Sequence, residues 1–340
     1  MNPNVSLPPF EGKSELLKSN QPCFIEVISH FSSAVEQLIR NQQVEGSNPL
    51  SGSMQFLEYG ILFFSILIHV NHHPFLQIYL PWQAMHTFVD THAHLYSRKF
   101  DSDRDEMIRR AIKAGVNRMY LPNIDVESME AMLALEAAFP DHCFAMMGLH
   151  PCSVQPDTFE TALAVVEQYL SARTWAGVGE SGLDLYWDKT TLAIQKIAFA
   201  RHIEWAKDLH RPLIVHARES NGPCLDLVRE GQDGRLRGIF HCFSGTLEEA
   251  REMVDLGFML GIGGTLTYPK SELPAVLREI PLEHIVLETD APYLPPVPHR
   301  GKRNESSYIP VIAEMLSEVK VLPLSQIARV TTDNAMRMFA

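Results

Sequence analysis

The pattern of apolar and polar residues changes near residue 85. From His86 onward, short runs rich in β-branched and aromatic residues alternate with stretches whose apolar residues recur at helical spacing. This alternation is typical of parallel strands that are joined by crossover helices. We predict eight strands, at residues 87–90, 118–121, 143–148, 175–179, 212–216, 238–241, 258–262 and 284–288.

Two of the intervening segments have the pattern of amphipathic helices. After the first strand, Asp101 and Asp103 supply capping carboxylates, and Gly115 ends the helix. The apolar stripe of this helix consists of Met107, Ile108, Ala111 and Ile112. Between the fourth and fifth strands the predicted stripe consists of Ile194, Ile197, Ala198, Trp205 and Leu209. Eight such strand and helix units predict an α/β protein with a (β/α)8 TIM barrel. A doubly wound open sheet is the alternative fold.

Residues 1–84 differ from the rest because they lack a sustained amphipathic period. Residues 33–53 resemble the peptide obtained when a transfer-RNA gene is translated by mistake. We therefore expect a poorly structured N-terminal extension or a start placed too far upstream, with Met85 as the natural initiator and residues 85–340 as the barrel. An accessory segment that packs on the barrel is the alternative.

The charge argues against a protein that coats nucleic acid. The formal net charge is −12, and removing the three basic and six acidic residues of the first 84 leaves 26 basic and 35 acidic ones. Non-specific nucleic-acid binding usually depends on clustered Lys and Arg. Any contact with nucleic acid must therefore be local, whereas a carboxylate-rich site would suit divalent cations.

The five cysteines show no CxxC pair and no density typical of secreted domains, so we expect a reducing, cytoplasmic compartment. The apolar residues 56–70 are too few to span a bilayer and include Glu58. The first 20 residues lack the apolar segment of a secretory signal. We expect neither membrane association nor an obligate protein partner.

Metal-ligand residues recur where the predicted strands end. The barrel fold places such residues at one mouth, where barrel enzymes hold their catalytic groups. Their nitrogen donors suit a borderline divalent metal such as Zn or Mn. The predicted ligands are His92, His94, Glu180, His216, His241 and Asp290.

The two carboxylates have further predicted roles. Glu180 follows a glycine-rich run and has two oxygens with which to bridge a pair of cations, and a surface glutamate is the alternative. Asp290 ends an apolar strand, where an unpaired carboxylate would be expensive, so it is predicted to bind metal and to act as a general base. A helix cap or a salt bridge is the alternative. For His216 and His241 the alternative is a buried, hydrogen-bonded core histidine.

Four further residues at this mouth are predicted to contact the substrate or to orient it. Each has a structural alternative, such as a turn, a helix cap or a stabilised loop. They are His150, Asp184, Tyr186 and Arg218.

In this order the motifs resemble those of the TatD family of metal-dependent deoxyribonucleases. They are DTHAHL at 90–95, GLHP at 148–151, GESGLDLYW at 179–187, PLIVHAR at 212–218, HCFSG at 241–245, ETDAPYLPP at 288–296 and RGKRNES at 300–306. The resemblance implies an amidohydrolase-type barrel, two divalent metals on the six ligands above, and DNA as the substrate. Ser306 stands near a position where the family usually has proline.

Two other functions remain open. The same kind of metal site serves many substrates, so a hydrolase of a small ester, lactone or amide metabolite is one rival. A metal-stabilised binding protein with a closed coordination sphere is the other. The sequence also leaves open whether the metals are Mg, Mn or Zn.

Overall fold

The computed structural model describes residues 86–340, which form eight short strands and nine α-helices. The strands are β1 Phe88–Asp90, β2 Val116–Pro122, β3 Cys143–Met146, β4 Val178–Asp184, β5 Leu213–Arg218, β6 Gly238–Phe240, β7 Phe258–Ile262 and β8 Ile285–Leu287. The helices are α1 Arg104–Lys113, α2 Met129–Ala138, α3 Phe159–Ala172, α4 Leu192–Asp208, α5 Asn221–Gly231, α6 Leu247–Asp255, α7 Leu273–Glu279, α8 Ile309–Lys320 and α9 Leu324–Met338. The predicted extension 1–84 lies outside the described residues.

The strands close into a barrel in sequence order. β1, β2 and β3 pair in parallel, as do β4 through β8. A parallel bridge between Met147 and Val178 joins the two sheets on one side. On the other side Ala93 pairs with Ala291, and the Thr91 amide donates to the Leu287 carbonyl at 3.0 Å. The predicted (β/α)8 barrel is confirmed, and the open sheet is excluded.

The lower half of the barrel interior is apolar. Because side chains alternate along a strand, one residue from nearly every strand points inward. These residues are Val89, Tyr120, Met146, Ile214, Ile239, Met259 and Val286. The end of α9 joins this cluster, and the Phe339 ring stacks on Tyr120 with centroids 3.6 Å apart. The polar inward side chains are therefore confined to the opposite, C-terminal end of the strands.

The prediction for the fourth strand was wrong in its bounds. The expected strand at 175–179 instead runs from Val178 to Asp184. In the sequence, the glycines of this segment indicate the end of a strand. In the structure, Gly179 has φ +138° and a Cβ there would approach the Ile214 carbonyl oxygen at 2.7 Å, so glycine is needed inside the strand at this position. Glu180 consequently lies inside β4, at 1% exposure, rather than at a strand end.

The helix predictions were right in part for both α1 and α4. In α1 the stripe of Met107, Ile108 and Ala111 is buried, as predicted. Asp103 occupies the N-cap position, but its carboxylate makes no cap hydrogen bond and instead accepts from Arg110 and Arg303. Ile197 of α4 and Leu209, which directly follows that helix, are exposed. The buried face of that helix instead includes two polar residues, Gln195 and His202. Each accepts a backbone hydrogen bond, Gln195 from Asp184 at the end of β4 and His202 from Leu149 in the loop after β3.

Within residues 86–340, no helix combines the length and the apolar character needed to cross a membrane. The apolar segment 56–70 falls outside that region. Cys143 and Cys224 are buried free thiols, in agreement with a core role, whereas Cys152 is exposed.

Candidate metal centre

All six predicted metal ligands meet inside the mouth of the barrel. His92 and His94 follow β1, His241 follows β6 and Asp290 follows β8, while Glu180 and His216 belong to β4 and β5 themselves. Neighbouring parallel strands bring these positions to one end of the barrel. The structure thus brings together all six residues that the sequence predicted as ligands.

One oxygen of Glu180 faces the first group of donors. Its Oε2 atom lies 3.1 Å from the Nε2 atom of His92 and 3.4 Å from the Nε2 atom of His94. The Oδ1 atom of Asp290 completes this group, 3.4 Å from His94 Nε2 and 3.8 Å from His92 Nε2. Four donors therefore surround one point.

The other oxygen of Glu180 faces the second group of donors. Its Oε1 atom lies 2.8 Å from the Nδ1 atom of His216 and 2.8 Å from the Nε2 atom of His241. These two nitrogens are 3.1 Å apart. Glu180 thus contributes one oxygen to each donor group, which is the arrangement of a bridging carboxylate.

The donor geometry fits divalent cations. Ligands about 2.0 to 2.2 Å from one ion lie roughly 3.0 to 3.5 Å from each other in tetrahedral or octahedral arrangements, close to the separations in both groups. The Oε2 atom of Glu180 is buried and makes no hydrogen bond within residues 86–340. A buried carboxylate oxygen without a donor is costly, and a cation would compensate it.

The electrostatics of the cluster favour a charged Glu180. Burial opposes the carboxylate, but His241, His92 and the other imidazoles outweigh it, and the pKa of Glu180 lies well below its ordinary value. Burial also raises the pKa of Asp290, but the adjacent imidazole of His94 lowers it by more, so the pKa lies below its ordinary value. Both carboxylates are therefore ionised, as metal ligands must be.

One residue of the cluster and one residue beside it have left-handed backbone conformations that are uncommon for residues other than glycine. Asp290 has φ +53° and Cys242, next to His241, has φ +48°. The Asp290 amide donates to the His92 carbonyl at 2.9 Å, which holds the turn after β8 against the segment after β1. Such conformations cluster at functional sites, where the surrounding structure maintains them.

Asp90 ties three segments together beneath His92. Its buried carboxylate accepts hydrogen bonds from the Ser306 hydroxyl at 2.6 Å and from the Thr289 hydroxyl at 2.5 Å. The Thr289 and His92 amides also donate to it, at 3.0 and 3.3 Å. The serine that departs from the usual family pattern thus has a structural partner.

His150 lies on the open side of the second donor group. Its Nε2 atom is 3.4 Å from the Oε1 atom of Glu180, and its Nδ1 atom accepts the Cys152 amide at 3.1 Å. Because Nδ1 is an acceptor, a neutral His150 carries its proton on Nε2. Its side chain is 16% exposed, so Nε2 can donate into the mouth.

Asp184 does not reach the mouth directly, in contrast to the sequence-based expectation of substrate contact. Its side chain is only 2% exposed, and its Oδ2 atom lies 3.0 Å from the Nε2 atom of His216. The other carboxylate oxygen accepts the amides of Tyr186 and Trp187, both at 3.0 Å. Asp184 can therefore affect a substrate only through these neighbours.

An exposed aromatic surface follows Asp184. Tyr186 is 50% and Trp187 69% exposed. The Arg218 guanidinium lies 3.8 Å from the Tyr186 ring centroid and 5.6 Å from that of Trp187. The predicted pair Tyr186 and Arg218 thus forms one surface with Trp187, which the sequence analysis had not selected.

Glu288 is a buried residue of the site that sequence reasoning missed. It has 0% exposure, and its Oε1 atom accepts the Cys242 amide at 2.6 Å and lies 3.7 Å from the Nδ1 atom of His241. Together with His92 and His241 it forms a further set of side chains spaced for a cation. The signal was available, since Glu288 ends an apolar strand as Asp290 does.

Comparison with known proteins identifies the family. A family profile described as TatD related DNase matches residues 89–340. The metal-dependent hydrolase YabD of Bacillus subtilis is 36% identical over 251 residues, covering 74% of this chain and 98% of that protein. The 3'-5' ssDNA/RNA exonuclease TatD of Edwardsiella piscicida is 31% identical over 257 residues, covering 74% and 98%.

Solved structures agree with the barrel. The TatD homologue YjjV from Escherichia coli K12 superposes with a TM-score of 0.69 at 31% identity, covering 74% of this chain and 97% of that one. An amidohydrolase from Saccharomyces cerevisiae has a TM-score of 0.64 at 16% identity, covering 74% and 99%. The second likeness concerns the fold alone.

Proposed function

This chain belongs to the TatD family of metal-dependent hydrolases, and we propose that it hydrolyses phosphodiester bonds in DNA with two divalent cations. The proposal is carried by the observation that the two carboxylate oxygens of Glu180 face different donor groups. Oε2 faces His92 and His94, whereas Oε1 faces His216 and His241. The relative from Edwardsiella piscicida is a 3'-5' ssDNA/RNA exonuclease, which supports nucleic acid as the substrate.

The first cation would be held by His92, His94 and Asp290, the second by His216 and His241, and Glu180 would bridge them. Divalent cations in such a pair lower the pKa of water and neutralise the charge on phosphate oxygens. The ions are Mg, Mn or Zn. The nitrogen-rich donors suit Mn or Zn, whereas Mg prefers oxygen ligands.

Asp290 is the proposed general base. Its carboxylate is ionised and its side chain is 14% exposed, so it can accept a proton from the attacking water at the mouth. Glu180, at 2% side-chain exposure, has no such access and serves only as a ligand. The roles of the two carboxylates therefore differ because their exposure differs.

The proposed substrate contacts lie on the side of the second donor group. His150 donates from Nε2 to a phosphate oxygen, and the surface of Tyr186, Trp187 and Arg218 receives an unpaired base. Stacking on aromatic rings and on guanidinium planes is common in single-strand recognition. Asp184 would position His216 rather than contact DNA.

A reducing compartment such as the cytoplasm agrees with the four free thiols of the described region.

The test combines metal content with turnover. We expect about two equivalents of metal by mass spectrometry, cleavage of a labelled single-stranded oligonucleotide, loss of cleavage in EDTA, and recovery with one of Mg, Mn or Zn. Cleavage that survives exhaustive chelation would contradict the proposal. A protein that binds metal but hydrolyses only small esters, lactones or amides supports the metabolite hydrolase instead, and one that hydrolyses nothing supports the binding protein.

A further inference from the structure

A pocket of about 590 Å³ lies between the loops that follow β6, β7 and β8. Ser244 lines it from the first loop, Thr265, Tyr268 and Lys270 from the second, and Arg300 from the third. The volume lies within the range of small-ligand sites. No residue of the proposed metal centre lines this pocket, so it requires a separate explanation.

The pocket shares its walls with the segments that carry the metal centre. Ser244 comes three residues after His241, and the loop that carries Arg300 begins directly after Asp290. The pocket therefore opens at the same end of the barrel as the proposed ligands. In TIM barrels the loops after the seventh and eighth strands frequently form a phosphate site.

Two cations in this pocket have no carboxylate partner. The Arg300 guanidinium lies 4.2 Å from the centroid of the Tyr268 ring, and neither Arg300 nor Lys270 forms an ion pair within residues 86–340. Arg303, three residues further on, is different, because both of its terminal nitrogens bind Asp103 at 2.7 Å. The hydrogen-bond donors of Arg300 thus remain available to an anion.

The pocket also offers acceptors and hydroxyl groups. Glu249 and Glu272 line it, the former already accepting the Thr246 amide at 2.8 Å and the Asn221 side chain at 3.1 Å. Ser244 and Ser271 add hydroxyl groups to the lining. A pocket lined by both cationic and anionic side chains suits a ligand that has an anionic group and amino groups that donate hydrogen bonds. A nucleotide has both, in its phosphate and its base.

We propose that this pocket binds the nucleotide next to the scissile bond, with its phosphate on Arg300. The inference rests on the proposed DNA hydrolysis and extends it, because it makes a neighbouring nucleotide part of the recognised substrate. A phosphodiester without nucleosides would use the metal centre alone. The pocket would therefore contribute to cleavage of DNA but not to cleavage of a small diester.

The test compares Arg300→Gln with Lys302→Gln in the metal-loaded full-length chain. Lys302 is an exposed cation of the same loop that does not line the pocket, so it controls for charge. We expect Arg300→Gln to lower kcat/KM for a single-stranded oligonucleotide roughly tenfold to a hundredfold, as for one charged hydrogen bond. Turnover of bis(4-nitrophenyl) phosphate should be little changed, and Lys302→Gln should have little effect on either substrate.

Binding separates the subsite from the activity. In EDTA, fluorescence anisotropy of the same labelled oligonucleotide should show a similar loss of affinity for Arg300→Gln and little loss for Lys302→Gln. Equal affinity of wild type and Arg300→Gln, or an equal fall of turnover on both substrates, overturns the subsite. If the wild type hydrolyses neither substrate while the affinity difference persists, the proposed function fails and the nucleotide pocket stands.

Discussion

The Nε2 atom of His216 lies 3.0 Å from the Oδ2 atom of Asp184, on the opposite side of the imidazole from Glu180. A neutral His216 that donates Nε2–H to this carboxylate keeps the Nδ1 lone pair directed at the second donor group. Carboxylates that fix the tautomer of a metal-binding histidine in this way are common partners of such sites. We therefore propose that Asp184 is a positioning residue whose effect is measurable as metal affinity.

Replacing Asp184 by Asn should weaken metal binding about tenfold to a hundredfold, as is typical for such partners. The effect should be confined to one of the two sites, because His92 and His94 have no contact with Asp184. Titration with Co²⁺, followed by its visible absorption, measures both affinities. Asp188→Asn is the matched control, since among residues 86–340 this exposed carboxylate of the same loop bonds only Thr190. Unchanged affinities in Asp184→Asn would show that the carboxylate only supports the turn.

Glu180 and Asp290 should differ in how much metal their variants retain. Asp290→Asn changes only the first donor group and should leave about one equivalent of metal, whereas Glu180→Gln changes both groups and should leave less than one. Both variants should lose about 10² to 10⁴ in turnover on DNA. Mass spectrometry of the purified proteins, together with the DNA assay, checks both. If Glu180→Gln keeps two metals, the bridging role is wrong.

The residues of the centre could be predicted from sequence because ligand chemistry and strand periodicity agree. His92 and His94 follow a strand and are two residues apart, so their side chains point to one side. Asp290 follows an apolar run, where a charge needs compensation. The barrel then brings these positions together without further information.

The positions of Glu180 and Asp184 along β4 could not be predicted, because the strand is held by backbone pairing that a glycine-rich sequence conceals. Gly182 pairs with His216 and Asp184 with Arg218, so the strand continues well past the point where its apolar residues end. Which face Asp184 takes depends on that register. Glu288 follows the same apolar run as Asp290 and so could have been selected from the sequence, but its contact with His241 follows only from the fold.

We propose that residues 85–340 fold by themselves, because residues 86–340 close a complete barrel and the family profile begins at residue 89. A chain that starts at Met85 should show the melting temperature and the metal content of the full-length chain. Differential scanning calorimetry and mass spectrometry of the two proteins, prepared in parallel, make the comparison. Aggregation of the shorter chain alone would favour the alternative of an accessory segment that packs on the barrel.

Trp187 should contribute to binding of single strands. Stacking of one base on an aromatic ring is worth about 1 to 3 kcal/mol, so Trp187→Ala should weaken affinity for a labelled single-stranded oligonucleotide roughly fivefold to a hundredfold. A duplex of the same sequence should be less affected because its bases are already stacked. Met336→Ala removes an exposed apolar side chain of α9 and is the control. Fluorescence anisotropy that finds equal affinities for Trp187→Ala and wild type would rule out this stacking role.

His202 should make the fold less stable in mild acid. Its Nε2 atom accepts the Leu149 amide at 3.0 Å, and its Nδ1–H donates to the Ala198 carbonyl at 2.8 Å. Both ring nitrogens of the neutral imidazole are therefore hydrogen-bonded, and the first bond holds the backbone directly before His150. Burial opposes the charged form and lowers the pKa of His202 from 6.5 to about 4, although the bond to Ala198 partly offsets this.

The sign of this effect follows from proton binding. Between pH 6.5 and about 4 the unfolded chain protonates His202 while the folded chain does not, so the unfolded state binds more protons and stability falls as the pH falls. The loss over that window is about 3 kcal/mol. His202→Gln keeps an acceptor for the Leu149 amide but cannot titrate. Over the same pH window, the free energy of unfolding of this variant should therefore fall less than that of the wild type, by the amount that His202 contributes. Urea unfolding of both proteins across the window measures the difference, and parallel curves would show that His202 does not titrate in this way.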